Sequence, residues 1–218
     1  MYRKALIIGG SGLIGSFLVD FLLQSTDFDE VILFNRKPFG INNSKIREII
    51  TDFPTLKEAF PEVYCTDVFC CIGTTLADAG SQSAFETIDY EYPMLVAQNV
   101  LQQGATGFWV ITATGASLHS AFFYNRTKAR LEQALISCRF NSLGIVRPSL
   151  LLGKRPKRRS TELIFQWLLP KLHCLMVGKL RRLRAIHAKQ VAKCLYILAL
   201  TKKEGCVIVE SENIGLYK

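Results

Sequence analysis

The sequence predicts an α/β protein in which a doubly wound parallel sheet carries a small C-terminal cap. Short apolar runs alternate along the chain with longer segments whose apolar residues recur at helical spacing. Continuous apolar runs are typical of strands buried on both faces, as in a parallel sheet covered by helices. The composition changes once, near residues 148–160, where a basic segment begins. We therefore expect one domain over residues 1–218, with residues 154–187 inserted as the cap.

The predicted elements alternate along the chain. The strands are short, mostly apolar runs at residues 4–8, 31–34, 46–50, 67–72, 108–112, 143–146 and 206–210. The helices have apolar residues three and four positions apart and cover residues 13–24, 84–103, 122–138, 161–169 and 189–200. Pro93 falls within the second helix, where it either kinks the helix or occupies its first turn.

The composition excludes two broad classes of protein. With 49% hydrophobic and 21% charged residues in 218, the chain can bury a large core and is not intrinsically disordered. No apolar run reaches the ~18–20 residues of a membrane-spanning helix.

Seven cysteines, an odd number without a C-x-x-C pair, predict neither a disulfide framework nor a metal site. They are expected to be small buried residues of a reducing compartment, which indicates the cytoplasm.

The net charge of +9 belongs to one region. Residues 154–184 hold ten basic residues and one acid, whereas the rest of the chain is balanced. The segment could bind nucleic acid, attract an anionic membrane, draw an anionic substrate to the cleft or be a solvated loop. No nucleic-acid motif accompanies it, which argues against nucleic acid as a partner and favours the solvated loop. The apolar residues at 167–177 are interpreted as a substrate lid or a homodimer contact.

A glycine-rich turn joins the first strand to the first helix. Its glycines fit G-x-x-G-x-x-G through Gly9, Gly12 and Gly15, and Gly10 also satisfies G-x-G-x-x-G. Glycine permits the tight turn, the close approach of a pyrophosphate and the packing of helix on strand, and the helix N-terminus attracts phosphate. The pattern predicts dinucleotide binding rather than a plain structural turn. The residues expected at the cofactor are Gly9, Ser11, Gly12, Leu13, Ile14 and Gly15.

The end of the second strand indicates which dinucleotide is bound. An NAD site usually has Asp or Glu there, but this chain has Asn35, Arg36 and Lys37. A guanidinium can pair with a 2′-phosphate, so we expect NADP(H), with NAD(H) the less favoured cofactor and Arg36 as the main contact. The alternative is a solvated strand end. Asp52, after the third strand, either reaches the adenine or caps its own loop.

Tyr124 and Lys128 form the candidate catalytic pair. Four residues apart on a helix, their side chains share one face. A nearby ammonium stabilises the tyrosinate, so the phenol can exchange a proton with a carbonyl or alcohol. The same lysine can hold a nicotinamide ribose. Thr112 and Thr114 lie at the C-terminal end of the fifth strand, where ligands of parallel sheets bind, and either hydroxyl could hold a substrate oxygen. The alternative is a surface Tyr–Lys pair.

The chain resembles an atypical short-chain dehydrogenase/reductase and is similar to the Tat-interacting oxidoreductase family. The shared pieces cover about residues 3–153 and comprise residues 9–15, Asn35-Arg36, Asp52, residues 70–75, Tyr124 with Lys128, and Arg147-Pro148. The resemblance implies a Rossmann fold that binds NADP, with Tyr124 as proton donor and threonine in place of the family's serine. It also implies that Asp89 stands where many relatives have Asn. It adds cofactor contacts at Gly73, Thr74, Thr75, Lys128, Pro148, Ser149 and Leu151.

Together these residues predict an NADPH-dependent oxidoreductase that reduces a small carbonyl compound by hydride transfer. Tyr124 would be the general acid, Lys128 would lower the pKa of its phenol and bind the ribose, and Thr112 or Thr114 would orient the carbonyl. The alternative is a regulatory or scaffold protein that binds NADP(H) with little turnover.

Overall fold

The structure of the protein is a computed structural model that describes residues 2–52, 55–56, 60, 63–153, 182 and 184–217. Most of the predicted cap, including the predicted helix at 161–169, lies outside the described residues. Within the described part, no helix has the length and apolar composition that a membrane crossing requires.

Seven strands form one sheet in which every neighbouring pair is parallel. The order is β3-β2-β1-β4-β5-β6-β9, and a second, two-stranded parallel sheet joins β7 to β8. The first six strands of the large sheet have the order of a dinucleotide-binding sheet, which confirms the predicted doubly wound fold. The strands are β1 (Lys4–Ile8), β2 (Glu30–Asn35), β3 (Ile46–Ile50), β4 (Asp67–Cys70), β5 (Gly107–Ile111), β6 (Ser142–Arg147), β7 (Leu151–Leu152), β8 (Ile186–His187) and β9 (Gly205–Glu210).

Helices connect the strands, and one prediction about them is wrong. The segment predicted as a single helix at 84–103 is divided into a short helix, a π-helical turn and a longer helix whose first turn contains Pro93. The described helices are α1 (Leu13–Gln24), α2 (Leu76–Ala79), α3 (Gln82–Glu86), the π-helical turn (Thr87–Glu91), α4 (Tyr92–Gln102), α5 (Phe123–Ser137), α6 (Ala188–Thr201) and a 3₁₀ helix (Ser211–Leu216).

The sheet is covered by apolar layers on both faces. On one face α1 and α6 pack against the strands through residues such as Leu18, Leu22 and Leu195. On the other face α4 and α5 do so through Val100 and Leu135, among others. Each layer excludes water from continuous strand surfaces, which is the main stabilising contribution in such a fold.

Several cysteines belong to these layers, as predicted. Cys65, Cys70 and Cys194 are buried, and burial raises the pKa of each thiol to about 12. They therefore remain protonated and behave as small apolar residues. Cys206 differs because it is exposed on the edge strand β9, and Cys174 lies outside the described residues.

A buried carboxylate ties together the edge of the sheet where the strands begin. Asp67 is fully buried and lies 2.7 Å from an Arg3 nitrogen and 3.3 Å from Lys202 Nζ. Arg3 also donates to the Ala199 carbonyl near the end of α6. The cluster joins β1, β4 and the C-terminal end of α6, far from the sheet edge where the strands end.

Trp109 on β5 is buried in space that two glycines leave free. A Cβ at Gly107 would lie 2.0 Å from Trp109 Cη2, and one at Gly144 would lie 2.5 Å from its Cδ1. The indole also stacks on Phe69, with ring centroids 5.1 Å apart. The ring is therefore held from three sides and cannot move aside easily.

We expect Gly107→Ala to lower the free energy of unfolding by roughly 1–3 kcal/mol because the new methyl group overlaps the indole. Urea unfolding measures the effect. Gly215→Ala is the matched control, since a Cβ there has no neighbour within 4 Å. Equal stability of the two variants would contradict the packing described for Trp109.

Candidate functional site

The glycine turn after β1 is built so that only glycine fits at two of its positions. Gly9 has a φ of +86°, and a Cβ on it would lie 2.8 Å from the Cys71 carbonyl. A Cβ on Gly15 would lie 2.1 Å from the Gly9 oxygen. The Gly12 N–H donates to that same oxygen at 3.0 Å and closes the turn. A Cβ on Gly10 would make only ordinary van der Waals contacts. The turn therefore follows the G-x-x-G-x-x-G pattern of Gly9, Gly12 and Gly15 rather than the one that includes Gly10.

The turn leaves the N-terminus of α1 open. Gly12 is its N-cap residue and supplies no side-chain hydrogen bond to the first-turn N–H groups. These donors and the helix dipole face the edge where β1, β2 and β4 end, an arrangement that favours an anion.

A cleft that is open to solvent lies at this edge. Its floor is apolar and its rim is polar, as in sites that hold a flat ring next to hydroxyl or phosphate groups. The residues lining it are Ile8, Gly9, Ser11, Phe34, Asn35, Arg36, Thr51, Asp52, Leu56 and Ile72. The predicted residues Gly9, Ser11, Asn35, Arg36 and Asp52 are thus brought together.

The side chains at the end of β2 have different environments. Asn35 is buried, and its amide donates to Glu48 Oε1 at 2.7 Å. Glu48, on β3, also accepts the Phe39 N–H and so shapes the loop after β2. The Asn35 amide nitrogen carries two hydrogens, of which one is donated to Glu48, so its second N–H and its carbonyl oxygen remain for a ligand. Arg36 and Lys37 are exposed.

Asp52 combines the two possibilities that the sequence left open. Its Oδ1 accepts the backbone N–H and the hydroxyl of Thr55, at 3.2 and 2.8 Å, so it caps the following turn. It also lines the cleft.

Tyr124 and Lys128 lie on one face of α5 beside a second group of predicted residues. Lys128 is 3% exposed, and its Nζ lies 2.6 Å from Asp89 Oδ1 in the π-helical turn. A Cβ on Gly73 would lie 3.3 Å from that carboxylate oxygen and 3.7 Å from the ammonium. Tyr124 is half-buried against the ring of Phe85. The Lys128 ammonium is therefore buried between α5 and the loop after β4.

The electrostatics of Lys128 combine opposing contributions. Burial is the largest and would lower the pKa of the ammonium. The charges of Tyr124 and Asp89 and the contact with the Asp89 carboxylate together outweigh it, so the pKa is raised. Lys128 therefore stays protonated throughout the physiological pH range.

The hydroxyls of the two candidate threonines have protein acceptors. Thr112 is buried and donates to Glu132 Oε1 at 2.6 Å, which turns it away from a role at a substrate carbonyl. Thr114 donates to the Arg147 carbonyl at 3.0 Å, so only its lone pairs remain for a ligand. Contrary to expectation, neither of these two threonines therefore has a free hydroxyl donor for a substrate next to Tyr124.

Sequence reasoning missed the charged cluster behind these threonines. Glu132, one turn beyond Lys128 on α5, is buried and accepts from Arg147 Nε at 2.9 Å. Arg147 also contacts Glu210 at 2.7 Å, and its hydrogen bonds to Glu132 raise its pKa. The cluster joins α5 to the ends of β6 and β9. The sequence feature that could have indicated this cluster is the spacing of Glu132, which places it on the same helix face as Lys128 and Leu135.

The loop after β6 lies close to the glycine turn. A Cβ on Gly153 would lie 2.6 Å from Leu13 Cδ1, so the chain beyond Leu151 passes against the start of α1. Pro148 accepts the Thr114 N–H, and Ser149 donates to the Arg184 carbonyl.

Three further predicted residues have structural contacts. Thr74 donates its N–H to Asp89, Thr75 accepts the Asp78 N–H and so caps α2, and the Ile14 side chain is buried in the core. Among the described residues, no group of His, Cys, Asp and Glu could hold a metal ion.

Several solved structures have similar folds. The structure titled "MoeE5 in complex with UDP-glucose and NAD" aligns with 97% of this chain and 79% of its own, with a TM-score of 0.72 and 18% identity. A short chain dehydrogenase family protein from Francisella tularensis aligns with 99% of this chain and 100% of its own, with a TM-score of 0.69 and 13% identity. At such identities the likeness shows the fold.

Two relatives are closer in sequence. Protein FMP52-2, mitochondrial, from Scheffersomyces stipitis is 35% identical over 164 residues, which are 73% of this chain and 71% of the relative. Protein HTATIP2 from Rattus norvegicus is 30% identical over 164 residues, covering 73% of this chain and 67% of the relative. The predicted resemblance is thereby confirmed. The expectation of a cytoplasmic protein is wrong, because several relatives are named as mitochondrial proteins. A model of the HIM1 family matches residues 31–172, well over half of the sequence, and the chain belongs to that family.

Proposed function

We propose that the protein is an NADPH-dependent oxidoreductase that reduces a small carbonyl compound. The observation that carries the proposal is the placement of Lys128. Its buried ammonium lies one helical turn from Tyr124, at the same sheet edge as the glycine turn and the cleft. A nucleotide site and a proton-donating group at one edge are what hydride transfer to a carbonyl requires.

The residues present fit a dinucleotide. Gly9 and Gly15 form a cradle that a Cβ would fill, and the uncapped start of α1 offers N–H donors to a pyrophosphate. The apolar floor of the cleft suits an adenine, and the Asn35 carbonyl oxygen can accept a ribose hydroxyl. NADPH, when bound, supplies the hydride.

The chain's own groups supply the rest of the chemistry. Tyr124 would donate its phenolic proton to the carbonyl oxygen as negative charge develops there. The Lys128 ammonium would stabilise the tyrosinate left behind and hold a ribose hydroxyl. The Thr114 hydroxyl oxygen, already a donor to Arg147, can only accept from a substrate.

The preference for NADPH rests on Arg36. Solved neighbours are titled as complexes with NAD, so NADH is the competing cofactor. The exposed Arg36 guanidinium lines the cleft and has no hydrogen bond or ion pair within the described part of the chain. It is therefore available to pair with a 2′-phosphate.

We expect Arg36→Ala to weaken NADPH binding about tenfold or more and to leave NADH binding within about twofold, since a hydrogen bond to a charged group contributes about 1.5–3 kcal/mol. Calorimetric titration with both nucleotides measures this. Lys203→Ala removes the same charge at an exposed site near the start of β9 and is the control. Equal binding of NADPH and NADH by the unmodified protein would contradict the preference.

A second candidate is a regulatory protein that binds NADP(H) with little turnover. The observation that favours it is the threonine pair, because both hydroxyls already donate to protein acceptors. Under this alternative, nucleotide binding changes the affinity for a protein partner while a panel of small aldehydes and ketones is not reduced.

A further inference from the structure

A buried carboxylate to which the proposed chemistry assigns no role joins three segments of the site. Asp89, in the π-helical turn, is 1% exposed, and its Oδ1 lies 2.6 Å from Lys128 Nζ on α5. Its Oδ2 accepts the Thr74 N–H at 2.9 Å. Gly73, the residue before Thr74, lies directly against the ion pair. One side chain therefore fixes both the ammonium and the backbone that passes over it.

The environment of the ammonium explains why this carboxylate matters. The titratable groups that face Lys128 are Tyr124 on α5, Asp89 in the π-helical turn and Cys70 on β4. Burial raises the pKa of the Cys70 thiol to about 12, so the thiol gives no charge at neutral pH. Asp89 is the carboxylate among them. A buried ammonium without such a partner loses its proton more easily.

The π-helical turn also has a purpose in this arrangement. Such turns interrupt α-helices and often occur at functional sites. Here the turn carries Asp89 between α3 and α4, and α4 begins directly after it with Pro93 in its first turn. The wider turn presents the carboxylate to the loop after β4 and to α5 together.

We propose that Asp89 is a positioning residue that keeps the Lys128 side chain charged and fixed against the Gly73–Thr74 backbone, ready for the ribose of a nucleotide. The identification of the ligand as a nucleotide rests on the proposed function, whereas the role of the ion pair can be tested without any ligand.

The first experiment uses no nucleotide. Lysines carrying ¹³C at Cε are titrated by NMR in the unmodified protein and in Asp89→Asn, with Lys128 assigned from the signal that Lys128→Met removes. Asparagine keeps an acceptor for the Thr74 N–H but removes the charge. We expect the Lys128 midpoint to fall by about one pH unit or more in Asp89→Asn, because burial then dominates. An unchanged midpoint would overturn the proposal.

The second experiment asks whether Asp89 acts through Lys128. NADPH and NADH are titrated calorimetrically into Asp89→Asn, Lys128→Met and the double variant. We expect Asp89→Asn to weaken binding roughly three- to tenfold in the unmodified background and by less than about twofold when Lys128 is already replaced. An equal loss in both backgrounds would mean that Asp89 acts independently, which rejects its role as a positioning residue for Lys128.

Two controls separate this role from a general loss of stability. Asp67→Asn makes the same change at another buried, ion-paired carboxylate, at the opposite edge of the sheet, and should lower stability without changing nucleotide affinity. If Asp89→Asn does not fold, the second control is the double variant, which removes both charges. Folding of the double variant alone supports the ion pair, whereas failure of both variants to fold means that Asp89 has only a structural role. If the unmodified protein binds neither nucleotide, the proposed function fails and the NMR titration alone decides the role of Asp89.

Discussion

Tyr124→Phe is expected to reduce NADPH-dependent carbonyl reduction roughly 10²–10⁴-fold while nucleotide affinity stays within about twofold. The change removes only the phenolic oxygen, and a positioned general acid contributes acceleration of this order. The ring still packs against Phe85, whose centroid lies 5.3 Å away, so the helix should keep its place. A large loss of turnover with normal binding is the result that a proton donor predicts.

The measurement is the oxidation of NADPH, followed by absorbance, with substrates found in a panel of small aldehydes and ketones. Tyr64→Phe is the matched control, since Tyr64 is 57% exposed and precedes the start of β4, away from the cleft. Reductase activity that survives Tyr124→Phe would remove Tyr124 from the mechanism. A protein that binds NADPH but reduces none of the panel would favour the regulatory alternative.

Glu132→Ala is expected to lower the free energy of unfolding by about 3 kcal/mol, near the lower end of the range for breaking a buried ion pair. In this variant the Thr112 hydroxyl loses its hydrogen-bond acceptor, and Arg147 Nε loses the carboxylate to which it donates. Arg147 keeps Glu210 and is partly exposed, which limits the loss. For a chain of this length we expect the melting temperature to fall by roughly 6–12 °C.

A surface pair provides the comparison for this variant. Glu86 contacts Arg130, whose side chain is exposed, and the Glu86 side chain is itself partly exposed. Glu86→Ala should therefore cost no more than about 1 kcal/mol. Thermal and urea unfolding of both variants test the difference. Similar losses for the two would show that the Glu132 cluster contributes no more than a surface contact.

The sequence was a good guide to the sheet and a poorer one to the connection after β4. Strand β1, for example, begins and ends where its run of residues was predicted to, because burial on both faces selects continuous apolar residues. The segment at 76–102 has helical periodicity for much of its length, but periodicity does not record which carbonyl each N–H uses. The π-helical turn around Asp89 therefore remained hidden.

In the candidate site, backbone features were easier to predict than side-chain partners. Gly9 and Gly15 were found because close backbone contact excludes every other residue. The partners of Thr112 and Asn35 were not found, since Glu132 and Glu48 lie 20 and 13 residues away on other elements. Only the fold brings those carboxylates within hydrogen-bonding distance. Turns can thus be predicted from local sequence, whereas ion pairs between distant residues depend on the tertiary structure.

The pairing of β7 with β8 has a consequence for how much the chain can vary. Leu151 lies opposite Ile186 and Leu152 opposite His187 in register, so two positions that are 35 residues apart in the sequence are held side by side. Strands paired this way are about 4.8 Å apart. The entropy of closing a loop rises only slowly with its length. We therefore expect a change in the length of the segment between β7 and β8 to cost little free energy of unfolding, while the sheet and the Tyr124–Lys128 pair keep their geometry.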